Sequence, residues 1–175
     1  MPNEIVYLID GYNVLFAWSE LDEVRASSLE EARLRFVASL SDFQAFVGFR
    51  VVVVFDAQHV SGNSLPPLIH STEGVEVLFT REAETADERI EKMVQRLLGM
   101  GSQVYVVTSD YLEQRISFAH GAYRISAREF YREWRGNRER LKGLMQQGRM
   151  GQTARLEDFL TPQAIQLLER WRRCK

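Results

Sequence analysis

One cysteine, Cys174, is present in 175 residues. A lone thiol near the C-terminus excludes an intrachain disulfide and a thiolate cluster for zinc, so a reducing cytoplasm is the expected compartment. Long apolar runs are missing too: none approaches the roughly 20 residues a membrane span needs. Residues 1–20 contain Glu4 and Asp10 and lack a basic start followed by a long apolar core, so neither export nor insertion is expected. Internal repeats and low-complexity tracts are also lacking. With hydrophobic residues at 45% and charged residues at 26%, the composition excludes disordered and fibrous classes. The length fits one domain with a full core, expected over residues 1–147, with a linker and C-terminal helix over 148–175 packed on it.

Net charge is only -2, yet it is unevenly spread. Between Arg124 and Arg155 nine basic residues face three acids, a local +6, which leaves -8 for the rest. Such polarity suits an acidic site that does chemistry beside a basic arm that holds a polyanion, although a basic helix is also an ordinary solvated face.

Apolar runs that stop at an acid organise the chain. Ile5 to Ile9 reads as a buried strand ending at Asp10-Gly11-Tyr12-Asn13, and Arg50 to Phe55 repeats the pattern and ends at Asp56. Residues 10–21 are expected to be irregular, with Phe16 and Trp18 packing beneath. A helix opened by a Ser28/Glu31 capping box carries Leu29, Ala32, Phe36, Val37, Leu40, Phe43 and Val47 at helical spacing and ends at Gly48. Ala57 to Gly74, with Gly62, Pro66 and Pro67, reads as a loop of about 18 residues, longer than most connections. Its His59 and His70 lack partners at ligand spacing. Val75 to Thr80 is a third strand, after which a Thr85/Glu88 box opens a helix with Asp87 in its first turn. Gln103 to Thr108 is a fourth strand, followed by Ser109-Asp110 and a further capping pattern with Glu113. A short fifth strand, Ala122 to Ile125, precedes a Ser126/Glu129 box and a basic helix to about Gln147. Gly148 to Ala154 reads as a linker, and Thr161-Pro162 opens a last helix burying Ile165 and Leu168.

Strands alternating with helices imply an α/β fold: a parallel sheet with right-handed crossovers, covered on both faces. Where the first and fourth strands are neighbours, the carboxyl ends of strands one, two and four form one rim, and the helix after strand three starts beside it. Asp10, Asp56, Asp87 and Asp110 then reach one pocket. Carboxylates crowded in this way raise one another's pKa, and a divalent cation relieves the crowding. All-oxygen donors without cysteine or paired histidine select Mg²⁺ or Mn²⁺, which activates water and neutralises charge on a phosphoryl oxygen. Each acid also has a plain structural reading, since Asp110 fits an N-cap and Asp87 suits the positive end of a helix. Asn13 could orient a bound water or a phosphate oxygen, or serve only the turn, and Glu84 and Glu88 stand as substitutes.

Leu8 to Asn13, Val53 to Ala57, Glu84 to Glu91 and Val107 to Asp110, in that order, resemble the NYN-domain ribonucleases, specifically their YacP-like branch. The resemblance implies a PIN-like three-layer α/β/α fold with parallel strand order 3-2-1-4-5 and a C-terminal helical extension. It also implies an Mg²⁺- or Mn²⁺-dependent endoribonuclease of bacterial mRNA decay, acting on ribosome-associated RNA. Asp10 and Asp87 correspond to the principal metal-holding acids, with Asp56 and Asp110 completing the cluster and Asn13 in support. On the basic arm, Arg124, Arg128, Arg132 and Arg135 are candidates to track RNA, with Tyr12, Tyr111 or Tyr131 available to stack on bases. Two other classes stay open at this point. One is a non-catalytic RNA- or ribosome-binding module on the same fold. The other is a phosphoreceiver-like signalling domain, which expects an adjacent acid pair where Asp10-Gly11 stands and a lysine where Arg124 to Ser126 stands.

Overall fold

A computed structural model of the chain describes residues 4–57, 69–72, 74–81, 83–110 and 121–150. The described residues form strands β1 (Ile5–Asp10), β2 (Arg50–Phe55), β3 (Ile69–Thr72), β4 (Val75–Phe79), β5 (Gln103–Val107) and β6 (Tyr123–Ile125), and helices α1 (Gly11–Ala17), α2 (Asp22–Ser27), α3 (Leu29–Val47), α4 (Ala86–Gly99) and α5 (Ala127–Met150). The sheet runs β3-β4-β2-β1-β5-β6. β4, β2, β1, β5 and β6 pair in parallel, which is the expected 3-2-1-4-5 order. β3 joins the β4 edge antiparallel, with Thr72 opposite Val75 across Gly74 at φ 87°.

β1 from Ile5 to Ile9 and β2 from Val51 to Phe55 are apolar at every position because both faces of the sheet are covered. The odd positions of β1 and β2 (Tyr7, Ile9, Val51, Val53, Phe55) lie on the face of α1, α3 and α5, in an aromatic core with Trp18, Phe36, Phe43, Phe130 and Trp134. The even positions (Val6, Leu8, Val52, Val54), with Val104 and Val106 of β5, pack an aliphatic core against Ile90, Val94 and Leu97 of α4. Asp10 continues the even series of β1, so alternation directs it to the side on which α4 starts.

Four local expectations are corrected. Residues 11–21 are ordered as α1 and a 3-10 turn at Ser19–Leu21. The Asp10 carboxylate caps α1, and Trp18 is buried beneath it while Phe16 is 45% exposed. The loop expected over 57–74 contains β3. The basic helix continues through Gly148 to Met150, where a linker was expected. At Ser28 only half of the capping box forms: its oxygen accepts from the Glu31 N–H, whereas the Glu31 carboxylate pairs with Arg35 at 2.8 Å. The helix expected after Asp110, the linker and helix of 151–175, and His59 lie outside the described residues. No helix among the described residues is long and apolar enough to cross a membrane.

Candidate active site

The carboxyl ends of β1, β2, β4 and β5 form a rim held by side-chain-to-backbone clamps. At β2, the buried Thr80 hydroxyl accepts from Ala57 N–H at 3.0 Å, and Thr80 N–H donates to Phe55 carbonyl at 3.0 Å. Asp56 is thus fixed between two tethered neighbours. Between β1 and β5, the Asn13 amide oxygen accepts from Ser109 N–H at 2.7 Å, while the Asn13 backbone N–H donates to Asp10 Oδ1 at 3.2 Å. One residue therefore caps itself onto the first acid and ties down the approach to Asp110. Asp110 N–H donates in turn to the Thr108 hydroxyl, and Ser109 Oγ accepts from Ala127 N–H at 3.2 Å, which joins the rim to the start of α5.

Gly11 is required by close approach. A Cβ placed there would lie 2.4 Å from Cδ1 of the fully buried Phe55 ring. Only a residue without a side chain lets α1 start this close to β2.

Asp10 is 8% exposed, and its pKa is pushed up to about 6. Burial is the largest cause; the Asn13 N–H opposes it, and the charges of Asp87, Asp110 and Asp56 add to it. Asp87, in the first turn of α4, is also raised, by burial first and then by Asp110, Asp56 and Glu88. The positive end of a helix ordinarily favours a carboxylate, so a rise at that position shows that burial, with the neighbouring acids, outweighs it. The four predicted acids therefore lie in one electrostatic neighbourhood. They do not form a ready-made cage: among the described residues no group of three or more Asp, Glu, His and Cys side chains stands at separations that hold a metal ion. By donor type and charge the cluster fits a hard divalent cation, because such an ion would offset the burial and the repulsion that together raise Asp10 and Asp87.

Several supporting roles are corrected by the geometry. Glu84 is no substitute ligand, since it accepts from Lys92 Nζ at 2.9 Å and faces Arg89 at 3.8 Å, and these cations lower its pKa. The Asn13 oxygen is engaged by Ser109, which makes Asn13 a positioning residue. Tyr12 is buried, packs edge-on to Phe55 at 5.0 Å and accepts from Arg33, so it is no stacking platform. Tyr131 packs against Trp18 and Trp134 and donates to Glu20 at 3.0 Å. Tyr111 lies outside the described residues. Thr80 went unnoticed in the sequence, although its position one residue past an apolar strand, as with Asp10 and Asp56, was a usable signal.

On the basic arm, Arg124 is exposed on β6, and Arg128, Arg132 and Arg135 are exposed on α5, spaced four and three residues apart along one stripe. Ser126 and Glu129 form a full capping box, with Ser126 N–H donating to Glu129 Oε2 at 2.8 Å and Glu129 N–H donating to Ser126 Oγ at 3.2 Å. Arg138, one turn on, is used internally against Glu20 and the Trp134 ring.

A parallel α/β sheet with clustered acids along the carboxyl ends of its strands places its candidate site where open α/β sheets bind their ligands. The family model for the YacP-like NYN domain matches residues 7–173, and the chain belongs to that family. It is 41% identical over 172 residues to the uncharacterized protein YacP of Bacillus subtilis strain 168, covering 96% of both chains. A crystal structure of Rae1 (YacP) from Bacillus subtilis superposes with a TM-score of 0.67 at 39% identity, over 97% of this chain and 95% of that one. A mutant form of the same protein gives a TM-score of 0.67 at 43% identity, over 78% and 79% of the two chains. Family membership carries a nuclease-type, RNA-related function.

Proposed function

We propose that the chain is a divalent-metal-dependent endoribonuclease of the cytoplasm that cuts messenger RNA on the ribosome. The observation that supports this most is the coupling of Asp10, Asp56, Asp87 and Asp110 at one rim, with the most buried of them raised to about 6. A site built to bind a polyanion has no use for four crowded acids unless a cation joins them.

Asp10 and Asp87 would be the principal holders of Mg²⁺ or Mn²⁺, with Asp56 and Asp110 completing the set. When bound, the cation supplies an activated water at neutral pH and neutralises charge on the phosphate, leading to hydrolysis that leaves a 5′-phosphate. The chain's own residues supply position. Thr80 fixes the backbone on either side of Asp56; Asn13 fixes Asp10 and the Ser109 turn that leads to Asp110. Burial of Asp10 strengthens every electrostatic interaction made there. Arg124, Arg128, Arg132 and Arg135 would follow the RNA backbone or ribosomal RNA, and the Ser109–Ala127 bond sets the start of that stripe against the acid rim.

The test is RNA cleavage by Asp10→Asn and Asp87→Asn proteins, first checked as folded, with Mn²⁺ present and with translating ribosomes among the substrates. Both variants should lose cleavage and keep RNA binding. Cleavage at the wild-type rate would overturn the site; binding without metal-dependent cleavage by the wild type would leave an RNA-binding module.

A further inference from the structure

Arg33 lies on α3 between Ala32 and Leu34, where no sequence pattern singles it out. Its guanidinium carbon is 5.3 Å from the centroid of the Phe79 ring and 6.0 Å from that of Phe55, and Nη1 donates to the Tyr12 hydroxyl at 3.2 Å. These three partners are rim residues. Tyr12 follows Asp10 by two positions, Phe55 immediately precedes Asp56, and Phe79 precedes the Thr80 clamp. Phe55 and Phe79 stack at 5.6 Å, so they present a continuous aromatic surface under the cation. The Tyr12 hydroxyl feels both charges: burial raises its pKa, Arg33 lowers it, and Asp56 raises it. Arg33 and Asp56 therefore both act on one phenol.

What distinguishes Arg33 from its neighbours is how it is held. Arg25 pairs with Asp22 at 2.9 Å, Arg35 with Glu31 at 2.8 Å and Arg50 with Glu76 at 2.6 Å. Among the described residues Arg33 has no carboxylate at ion-pair distance; its partners are two rings and a hydroxyl, all neutral. Half-buried and oriented by neutral groups, the guanidinium keeps its charge for an outside anion and loses little freedom on meeting one. A strand of RNA nearing four acids meets less repulsion where a cation of the protein stands beside them.

We propose that Arg33 grips a phosphate of the RNA strand at the edge of the acid rim. This rests on the nuclease reading of that rim. The planar fork of the guanidinium suits two phosphate oxygens, and the rings behind it fix the approach. The role is substrate positioning: the phosphate held is a neighbour of the one that is cut.

The test uses the full chain carrying Asp87→Asn, with Mn²⁺ and a fluorescein-labelled polyuridine oligonucleotide, and reads anisotropy over a salt series. Adding Arg33→Gln should weaken binding about tenfold and flatten the log-log salt slope by about 0.7, the loss of one phosphate contact to a single strand. Arg33→Lys should keep the slope while losing part of the affinity. Affinity and slope unchanged in a folded Arg33→Gln protein would overturn the proposal. If that protein melts early, Arg33→Met, which can lie over the same rings, carries the same prediction and the same refutation. With Asp87 restored, Arg33→Gln should raise KM more than it lowers kcat. Should the wild type neither bind nor cut RNA, both the nuclease reading and this role fall; should it cut RNA while Arg33→Gln binds with the wild-type slope, only the role of Arg33 falls.

Discussion

The acid rim and the basic helix α5 carry opposite charge, and they are built in opposite ways. At the rim, four acids are brought together by separate elements, clamps from Thr80 and Asn13 fix Asp10 and the backbone beside Asp56 and Asp110, and one of the four is buried. On α5 the arginines of the stripe are exposed and spread along one helix, while its other face, through Phe130 and Trp134, belongs to the core. Crowded, buried charge costs stability and persists where it serves chemistry; dispersed, exposed charge costs little and serves attraction. The rim should therefore respond to substitution in rate and pH dependence, the helix in salt dependence.

The largest expected effect is at the rim. Asp87→Asn should reduce metal-dependent RNA cleavage by about a hundredfold or more, as removal of a directly acting group does. Next comes the helix: Arg128, Arg132 and Arg135 all changed to Glu should reduce the single-strand salt slope by about 2. Thermal melting should barely move, because all three side chains are exposed. An unchanged slope would remove α5 from the RNA path.

Two stability predictions sharpen the contrast. Gly11→Ala should destabilise by about 1 to 3 kcal/mol, since the added methyl meets the buried Phe55 ring and the core must shift. Denaturant unfolding measures it, and a neutral result would mean that α1 is free to move off β2. The pH dependence has a definite sign. Asp10 has a folded pKa raised to about 6, so its contribution favours the folded state fully below the ordinary carboxylate range and is lost as pH rises through about 6. Metal-free stability should fall across that window. Asp10→Asn keeps an N-cap for α1, because Asn caps as well as Asp, and should flatten the fall, gaining about 1 to 3 kcal/mol at neutral pH. A variant that is more stable and inactive is the signature of an acid retained for function.

Much of this was legible in the sequence where one physical signal dominated. Apolar runs marked the five parallel strands, two of them ending directly in acids, and the order that puts β1 beside β5 brought Asp10, Asp56, Asp87 and Asp110 to one edge. The Ser126/Glu129 box formed in full. What was hidden depended on tertiary contact. The sequence Gly11-Tyr12-Asn13 has poor helix propensity, and α1 exists because Asp10 caps it and Tyr12, Val14 and Leu15 are buried. β3 is a four-residue edge strand without alternation of its own, fixed by pairing with β4. Asn13 as a clamp and Arg33 as a cation held by rings depend on residues far apart in sequence, Ser109 and Phe79, so no local pattern announces them. Glu84 looked available because its partner Lys92 is eight residues on, beyond one helical turn.

In the proposed function the acid rim holds a divalent cation that serves RNA cleavage. The most direct measurement is the rate of RNA cleavage on translating ribosomes as a function of Mn²⁺ concentration, for wild-type and folded Asp87→Asn proteins side by side. Saturable, Mn²⁺-dependent cleavage by the wild type and about a hundredfold less by Asp87→Asn is the predicted result. Equal rates for the two proteins, or wild-type cleavage indifferent to Mn²⁺ and to chelator, would contradict it.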